Sequence, residues 1–213
     1  MNLFVIGDIH GCFKTFKTLL DQWDKSSELL IQLGDLIDRG NSSPQTVKLA
    51  RELQSKYSNT VFLKGNHEIL AIQNYNNTKS KWYDMYGKKV MWQYQLEERD
   101  FEKDVQWFGT LPLYWENEHV FISHAGVSNS ENWKDENDPK GILWNRTPLK
   151  NIGKLQVIGH TPQKKGPVYD PLSNHWNIDS GAYLGKKLSG IKLKPGGELI
   201  EVISVPTLRA DLE

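Results

Sequence analysis

Over the first seventy or so positions, short apolar runs alternate with stretches in which apolar residues return every three or four positions. "LFVI" reads as a strand followed by the loop "GDIHG", after which Phe13, Phe16, Leu19, Leu20 and Trp23 mark one side of a helix. "LLIQL" predicts a second strand ending in the loop "GDLIDRG". Ser43 is then the expected N-cap of a helix, with Pro44 at its first position and Val47, Leu49, Ala50 and Leu53 on its apolar side. "TVFL" is the third strand and ends at "KGNHE". Strands alternating with helices pair in parallel, and functional groups in such sheets collect beyond the carboxyl ends of the strands, where all three polar loops lie.

A second group of strands follows. "PLYW" turns through "ENE" into "HVFIS"; "LQVIGH", "HWNIDSGA" and a terminal hairpin, "LSGIKL" through "KPGGE" to "LIEVIS", complete it. Two packed sheets with helices outside are the α/β architecture this implies. Between Ile69 and Gly109 the pattern gives way to a helical, aromatic-rich insertion bearing Trp82, Tyr83, Tyr86, Trp92, Tyr94, Trp107 and Phe108. Its aromatics are expected to pack on one another and on the sheet edge as a small cap, with a substrate-binding wall as the alternative.

The length of 213 residues suits one domain, residues 1–213. Basic and acidic residues number 26 each, so bulk charge gives no reason to expect a nucleic acid or an anionic membrane as partner, and any phosphate recognition must be local. The basic and aromatic segment "KSKWYDMYGKK" therefore reads as a solvated cap face rather than a nucleic-acid surface. Cys12 is the only cysteine, which excludes an intrachain disulfide and fits a reducing compartment; the cytoplasm is the expected location. No apolar run has the length of a signal sequence or a membrane span, and nothing calls for an obligate subunit.

Six polar clusters stand at or after expected strand ends: "GDIHG", "GDLIDRG", "KGNHE", "HAG", "WNR" and "GH". They contain four of the six histidines. Asp8 and His10 are two apart, so an extended segment would point both the same way. Catalytic ions need open positions, so one ion is an unsuitable match for six donors, whereas two sharing a carboxylate divide the set. Asp8, His10 and Asp35 are assigned to one ion, and Asp35 as bridge, Asn66, His124 and His160 to the other. Such a pair can hold a shared hydroxide and polarise phosphoryl oxygens, which is phosphoester hydrolysis without a covalent intermediate. Manganese is the working choice; iron and zinc suit the same donors. Arg39 and Arg146 offer guanidinium forks to a phosphate, with Asn66 also in reach, and His67 is the candidate general acid, held by Asp38.

These motifs resemble those of the phosphoprotein phosphatases within the calcineurin-like metallophosphoesterases. "GDIHG", "GDLIDRG" and "GNHE" match that family's signatures in order, with "HAG" and "GH" after them, over Gly7 to about Gly181. By size, and by "WNR", "GHTP" and "NIDSGA", the chain is most similar to the compact bacterial and bacteriophage members. The resemblance implies a four-layer αββα sandwich with a dinuclear centre at the sheet edge, and the same residue roles. It implies a serine/threonine protein phosphatase, or alternatively a hydrolase of diadenosine tetraphosphate; a binding module on an inactive scaffold is the reading from another class. Lys64 stands where many relatives have arginine, so a third guanidinium contact is not expected. Cys12 is not followed by an arginine six positions on, as a cysteine phosphatase would require, because Thr18 is there; a buried neutral thiol is expected. His119 and His175 are expected to be structural or exposed.

Overall fold

The computed structural model describes residues 1–76 and 81–212. Strands β1 (Asn2–Ile6), β2 (Glu28–Gln32) and β3 (Thr60–Phe62) pair in parallel through helices α1 (Phe13–Leu20) and α2 (Ser43–Lys56). Helices α3 (Asn66–Tyr75), α4 (Lys88–Leu96) and α5 (Phe101–Thr110), with a π-helical turn at Tyr83–Gly87, follow before strand β4 (Tyr114–Glu116). The remaining strands are β5 (Val120–Ser123), β6 (Leu155–Ile158), β7 (Val168–Asp170), β8 (His175–Asn177), β9 (Lys187–Leu193) and β10 (Leu199–Pro206).

Two mixed five-stranded sheets result, in the orders β10-β9-β1-β2-β3 and β4-β5-β6-β8-β7. The terminal hairpin, expected with the second group of strands, instead joins the first sheet, because β9 runs antiparallel to β1. β7 had no signal of its own: its residues are mostly exposed, and an exposed edge strand needs no apolar period.

Strand alternation sorts the core. Leu3, Val5, Ile31, Val120, Ile122 and Val157 meet between the sheets, while Phe4, Ile6, Leu30 and Phe62 face Phe16 and Leu19 of α1 and Val47 and Ala50 of α2. On the far side of the second sheet, Phe121 packs with Ile69 of α3 and with Ile142 and Leu143 from a long run of turns.

Two local expectations change. α1 ends at Leu20, so Trp23 fills the core from the turn behind it and donates its indole N–H to the carbonyl of Glu28. Ser42, not Ser43, is the N-cap of α2; the Ser43 hydroxyl instead accepts the backbone N–H of Asp38 at 3.1 Å. Lys79 and Ser80 of "KSKWYDMYGKK" lie outside the described residues; of the rest, Trp82 is fully buried and Lys88 is exposed beside Asp84. Among the described residues no helix is long and apolar enough to cross a membrane.

Candidate active site

The loops that leave β1, β2, β3, β5 and β6 meet along one edge. Their residues reach it by an unusual backbone route: of the seven non-glycine described residues with positive φ, five are His10 (48°), Asp35 (56°), Asp38 (74°), Arg39 (68°) and His160 (68°). Asp8 and His10 therefore do not converge through strand alternation as expected, since His10 is left-handed. Each such residue costs roughly 1–2 kcal/mol, so the surrounding contacts must specify the conformation. They do so through the backbone: Ile9 and His10 donate N–H groups to the carbonyl of Asp35, Gly40 donates to the carbonyl of His10, and Gly11 donates to that of Leu36. "WNR" begins at the end of a run of turns and a bend at 139–144 and does not follow a strand.

Asp35 is the hub. Its Oδ1 accepts the N–H of His67 at 3.0 Å, at the start of α3, where free N–H groups favour negative charge. Its Oδ2 faces His10 Nε2 at 3.4 Å, His124 Nε2 at 3.5 Å and His67 Nε2 at 3.9 Å. Burial opposes ionisation, but at acidic pH the protonated imidazoles of His124, His67 and His10, with the His67 N–H, outweigh it and hold Asp35 well below the usual carboxylate range.

The histidines present lone pairs to this carboxylate. Nδ1 of His10 donates to the carbonyl of Ile37 at 3.0 Å and Nδ1 of His124 to that of Leu33 at 2.9 Å, which leaves both Nε2 atoms unprotonated. Burial pushes His10 down to about 3 and His160 to about 2, and lowers His124, so these rings are neutral near pH 7. His124 Nε2, His160 Nδ1 and Asn66 Oδ1 stand 2.9 to 3.1 Å from one another, and one proton among them leaves a lone pair against a lone pair. Neighbouring donors around one ion with bonds near 2.1 Å lie about 3 Å apart, so this group fits a divalent cation.

The close donor groups are His10, Asp35 and His67 on one side of the hub and Asp35, His124 and His160 on the other. Asp8, expected with His10 and Asp35, is in neither of these. Its Oδ2 accepts the backbone N–H of His160 at 3.0 Å, while its buried Oδ1 has no hydrogen-bond partner. An orphaned carboxylate oxygen beside the hub is itself what a cation would satisfy. The departure is that His67 replaces Asp8 in the tight cluster.

Around the hub lies a cleft of about 320 Å³ whose lining includes Arg39, Asn66, His67, Arg146 and His160. His67 Nδ1 is hydrogen-bonded to Asp38 Oδ2, and Arg39 Nη2 approaches His67 Nε2 at 3.4 Å. Burial alone would lower the pKa of His67; the charge of Asp35 and the bond to Asp38 outweigh it and raise the value above that of an ordinary histidine. Arg39 Nε is buried without a partner, and Arg146, more exposed, donates to the Thr161 hydroxyl at 3.1 Å. Lys64 turns away and pairs with Glu136 at 2.7 Å. Cys12 is buried and its thiol pushed up to about 12, while His119 is exposed and His175 bonds Ser173 at 2.8 Å.

The family profile of the calcineurin-like phosphoesterases matches residues 1–193. The chain belongs to that family. It is 30% identical over 205 residues to serine/threonine-protein phosphatase 1 of Salmonella typhimurium, which covers 88% of this chain and 90% of that protein. It is 34% identical over 131 residues to a symmetrical bis(5'-nucleosyl)-tetraphosphatase of Aromatoleum aromaticum, covering 60% of this chain and only 45% of that enzyme. The solved structure of a Saccharomyces cerevisiae serine/threonine phosphatase shares the fold, with a TM-score of 0.71 at 17% identity over 98% of this chain and 80% of its own.

Several residues of this phosphoesterase's cleft carried no sequence signal that singled them out. Tyr183 and Tyr86 stand over the Arg39 guanidinium, 4.1 and 5.4 Å from its carbon. Tyr183 also meets His10 edge-on, and Tyr86 leans on His67. Asp179, buried in "NIDSGA", lines the cleft with its carboxyl pushed up by burial to about 6. Glu68 did have a signal: a glutamate three positions into a helix is half of a capping box. It accepts N–H groups from Gly65, Asp35 and Leu36.

Proposed function

We propose that this calcineurin-like phosphoesterase is a serine/threonine protein phosphatase that uses two divalent ions. The observation that carries the reaction class is the convergence of two donor clusters, a histidine held by Asp38 and a guanidinium on the two sides of one carboxylate, Asp35. Asp8, His10 and Asp35 would hold one ion, and Asp35, Asn66, His124 and His160 the other. When bound, such ions supply a water that is nucleophilic at neutral pH and withdraw charge from phosphoryl oxygens. Manganese is the working choice, and zinc or iron would suit the donors.

The chain's own groups do the rest. Arg39, close to the rings of Tyr183 and Tyr86, and Arg146 receive the phosphate with Asn66 beside them, and they gain most as charge builds on its oxygens. His67, with Nδ1 bound to Asp38, turns Nε2 toward the cleft, from which a proton is given to the leaving oxygen. Burial also raises the carboxyl of Asp38, against the hydrogen bonds from His67 and Trp82 and the charge of His67.

The near end-to-end alignment with the Salmonella phosphatase supports a phosphoprotein substrate. The partial alignment with the Aromatoleum hydrolase supports a second reading, cleavage of a dinucleoside polyphosphate at the same centre. The test is a comparison of kcat/KM for phosphoserine and phosphothreonine peptides, p-nitrophenyl phosphate and diadenosine tetraphosphate, with manganese, zinc and iron in parallel. Higher values for the peptides are expected. A preference for the dinucleotide would move the assignment to the second reading, and metal loading without turnover of any substrate would leave a binding module.

A further inference from the structure

The insertion after α3 holds the "GDLIDRG" loop at consecutive residues. Trp82 Nε1 donates to both carboxylate oxygens of Asp38, at 3.0 and 2.9 Å; Lys89 Nζ donates to the carbonyl of Arg39 at 2.8 Å; and Gln93 donates to the carbonyl of Gly40 at 3.0 Å while accepting the N–H of Ser43. The first of these contacts bears on chemistry. Asp38 has no exposure to solvent, so its carboxylate plane is set by what bonds it, namely His67 Nδ1 on the cleft side and the indole N–H behind.

The indole is itself fixed. Trp82 is fully buried and stacks on Phe101 at 5.4 Å with the planes 5° apart. A Cβ at position 87 would fall 2.7 Å from the Trp82 ring, so Gly87 leaves the space the ring occupies. A buried carboxylate that lost this donor would retain one good partner instead of two, and could rotate away from the imidazole or take up its proton.

We propose that Trp82 is a positioning residue for the general acid: its indole N–H fixes the Asp38 carboxylate that orients His67. This rests on the acid role of His67. It also gives the aromatic insertion a function besides covering the sheet edge, since its buried ring acts on the leaving-group side of the cleft through one carboxylate.

Leaving groups that need a proton distinguish this from simple packing. Trp82→Phe keeps a stacking ring and removes the N–H. In the manganese-loaded protein, kcat for phenyl phosphate should fall by about tenfold, while kcat for 2,4-dinitrophenyl phosphate, whose leaving oxygen departs without protonation, should change by less than about twofold. Substituting 3-benzothienylalanine for Trp82, which preserves the shape of the ring and lacks the N–H, should give the same split even if Trp82→Phe folds poorly. In metal-free protein, both replacements should shift the low-field proton signal of the His67–Asp38 hydrogen bond, a readout independent of turnover. Equal losses on the two substrates, or an unmoved proton signal, would overturn the inference. His67→Asn run in parallel separates the two ideas: if it shows the leaving-group split and the Trp82 variants do not, the inference alone fails. If His67→Asn shows no split, the acid assignment falls and the inference falls with it.

Discussion

The Glu68 carboxylate accepts the backbone N–H groups of Asp35 and Leu36 at 2.8 Å each, so the helix that begins with Asn66 and His67 is fastened to the loop that carries Asp35, Asp38 and Arg39. With the N–H of Gly65 as a third donor, one buried side chain satisfies three buried backbone groups. Glu68→Ala should therefore destabilise the fold by about 3 kcal/mol or more, and Glu68→Gln, which keeps one accepting oxygen, by about 1–2 kcal/mol. Urea unfolding midpoints at constant slope would measure both. Equal effects would mean that packing, and not N–H acceptance, is what Glu68 provides.

Asp35→Ala should lower the occupancy of both ions together, because Oδ2 faces donors of both clusters. Elemental analysis of protein equilibrated with manganese would check it. Loss of one ion with retention of the other would contradict the shared carboxylate.

The second and third loops touch at glycines. Gly34 has a φ of 93°, and a Cβ there would lie 2.3 Å from the nitrogen of Gly65. Gly34→Ala should cost roughly 3 kcal/mol or more, combining a disfavoured backbone with a backbone clash, and should reduce metal binding by parting the two loops. Gly109→Ala is the control: nothing lies within 4 Å of its added carbon, and it sits within α5, so a gain of about 0.5–1 kcal/mol is expected by thermal unfolding.

Cys12 should be chemically silent. Burial pushes its thiol up to about 12, so iodoacetamide at pH 8 should label unfolded but not native protein, and Cys12→Ser should retain turnover. The raised value also sets the sign of a pH effect. The folded state keeps its proton where the unfolded thiol, with a pKa near 8.5, has lost it, so the contribution is whole below about pH 8.5 and declines above it, by at most about 1.4 kcal/mol per unit toward pH 12. Native protein should lose stability relative to Cys12→Ser as pH rises from 9 to 10.5, measured by urea unfolding.

What the sequence made legible follows the range of the forces involved. The period of apolar residues is local, so β1 to β3 and the helices between them were readable, as were the motif loops at their ends. The partner of β9 was not, because its pairing with β1 is decided by two sheets closing together. Within the site, His10, Asp35, Asn66, His124 and His160 were anticipated as neighbours from residue type and order. The left-handed backbones of His10, Asp35 and His160 were not, since propensity argues against them and only tertiary contacts impose them. The contact of Trp82 with Asp38 was not anticipated, for a related reason. An aromatic in an aromatic-rich segment has no distinguishing neighbour in sequence, and its partner Asp38 lies 44 positions earlier.

The pairing of β1 has a consequence in time. Leu3 pairs with Leu29 on one side and with Leu193 on the other, and Asp8 and His10 leave the end of that strand. During synthesis, the segment that holds Asp8 and His10 emerges before the other loops of the site but gains its second neighbour only after β9 has been made. His160, whose backbone N–H bonds Asp8, also emerges late. Such distant contacts form slowly, because a long loop must close before they are rewarded. The earliest-made part of the site is thus among the last to be fixed, and a spectroscopic probe near Asp8 would report the completion of folding, whereas one between β2 and β3 would report its onset.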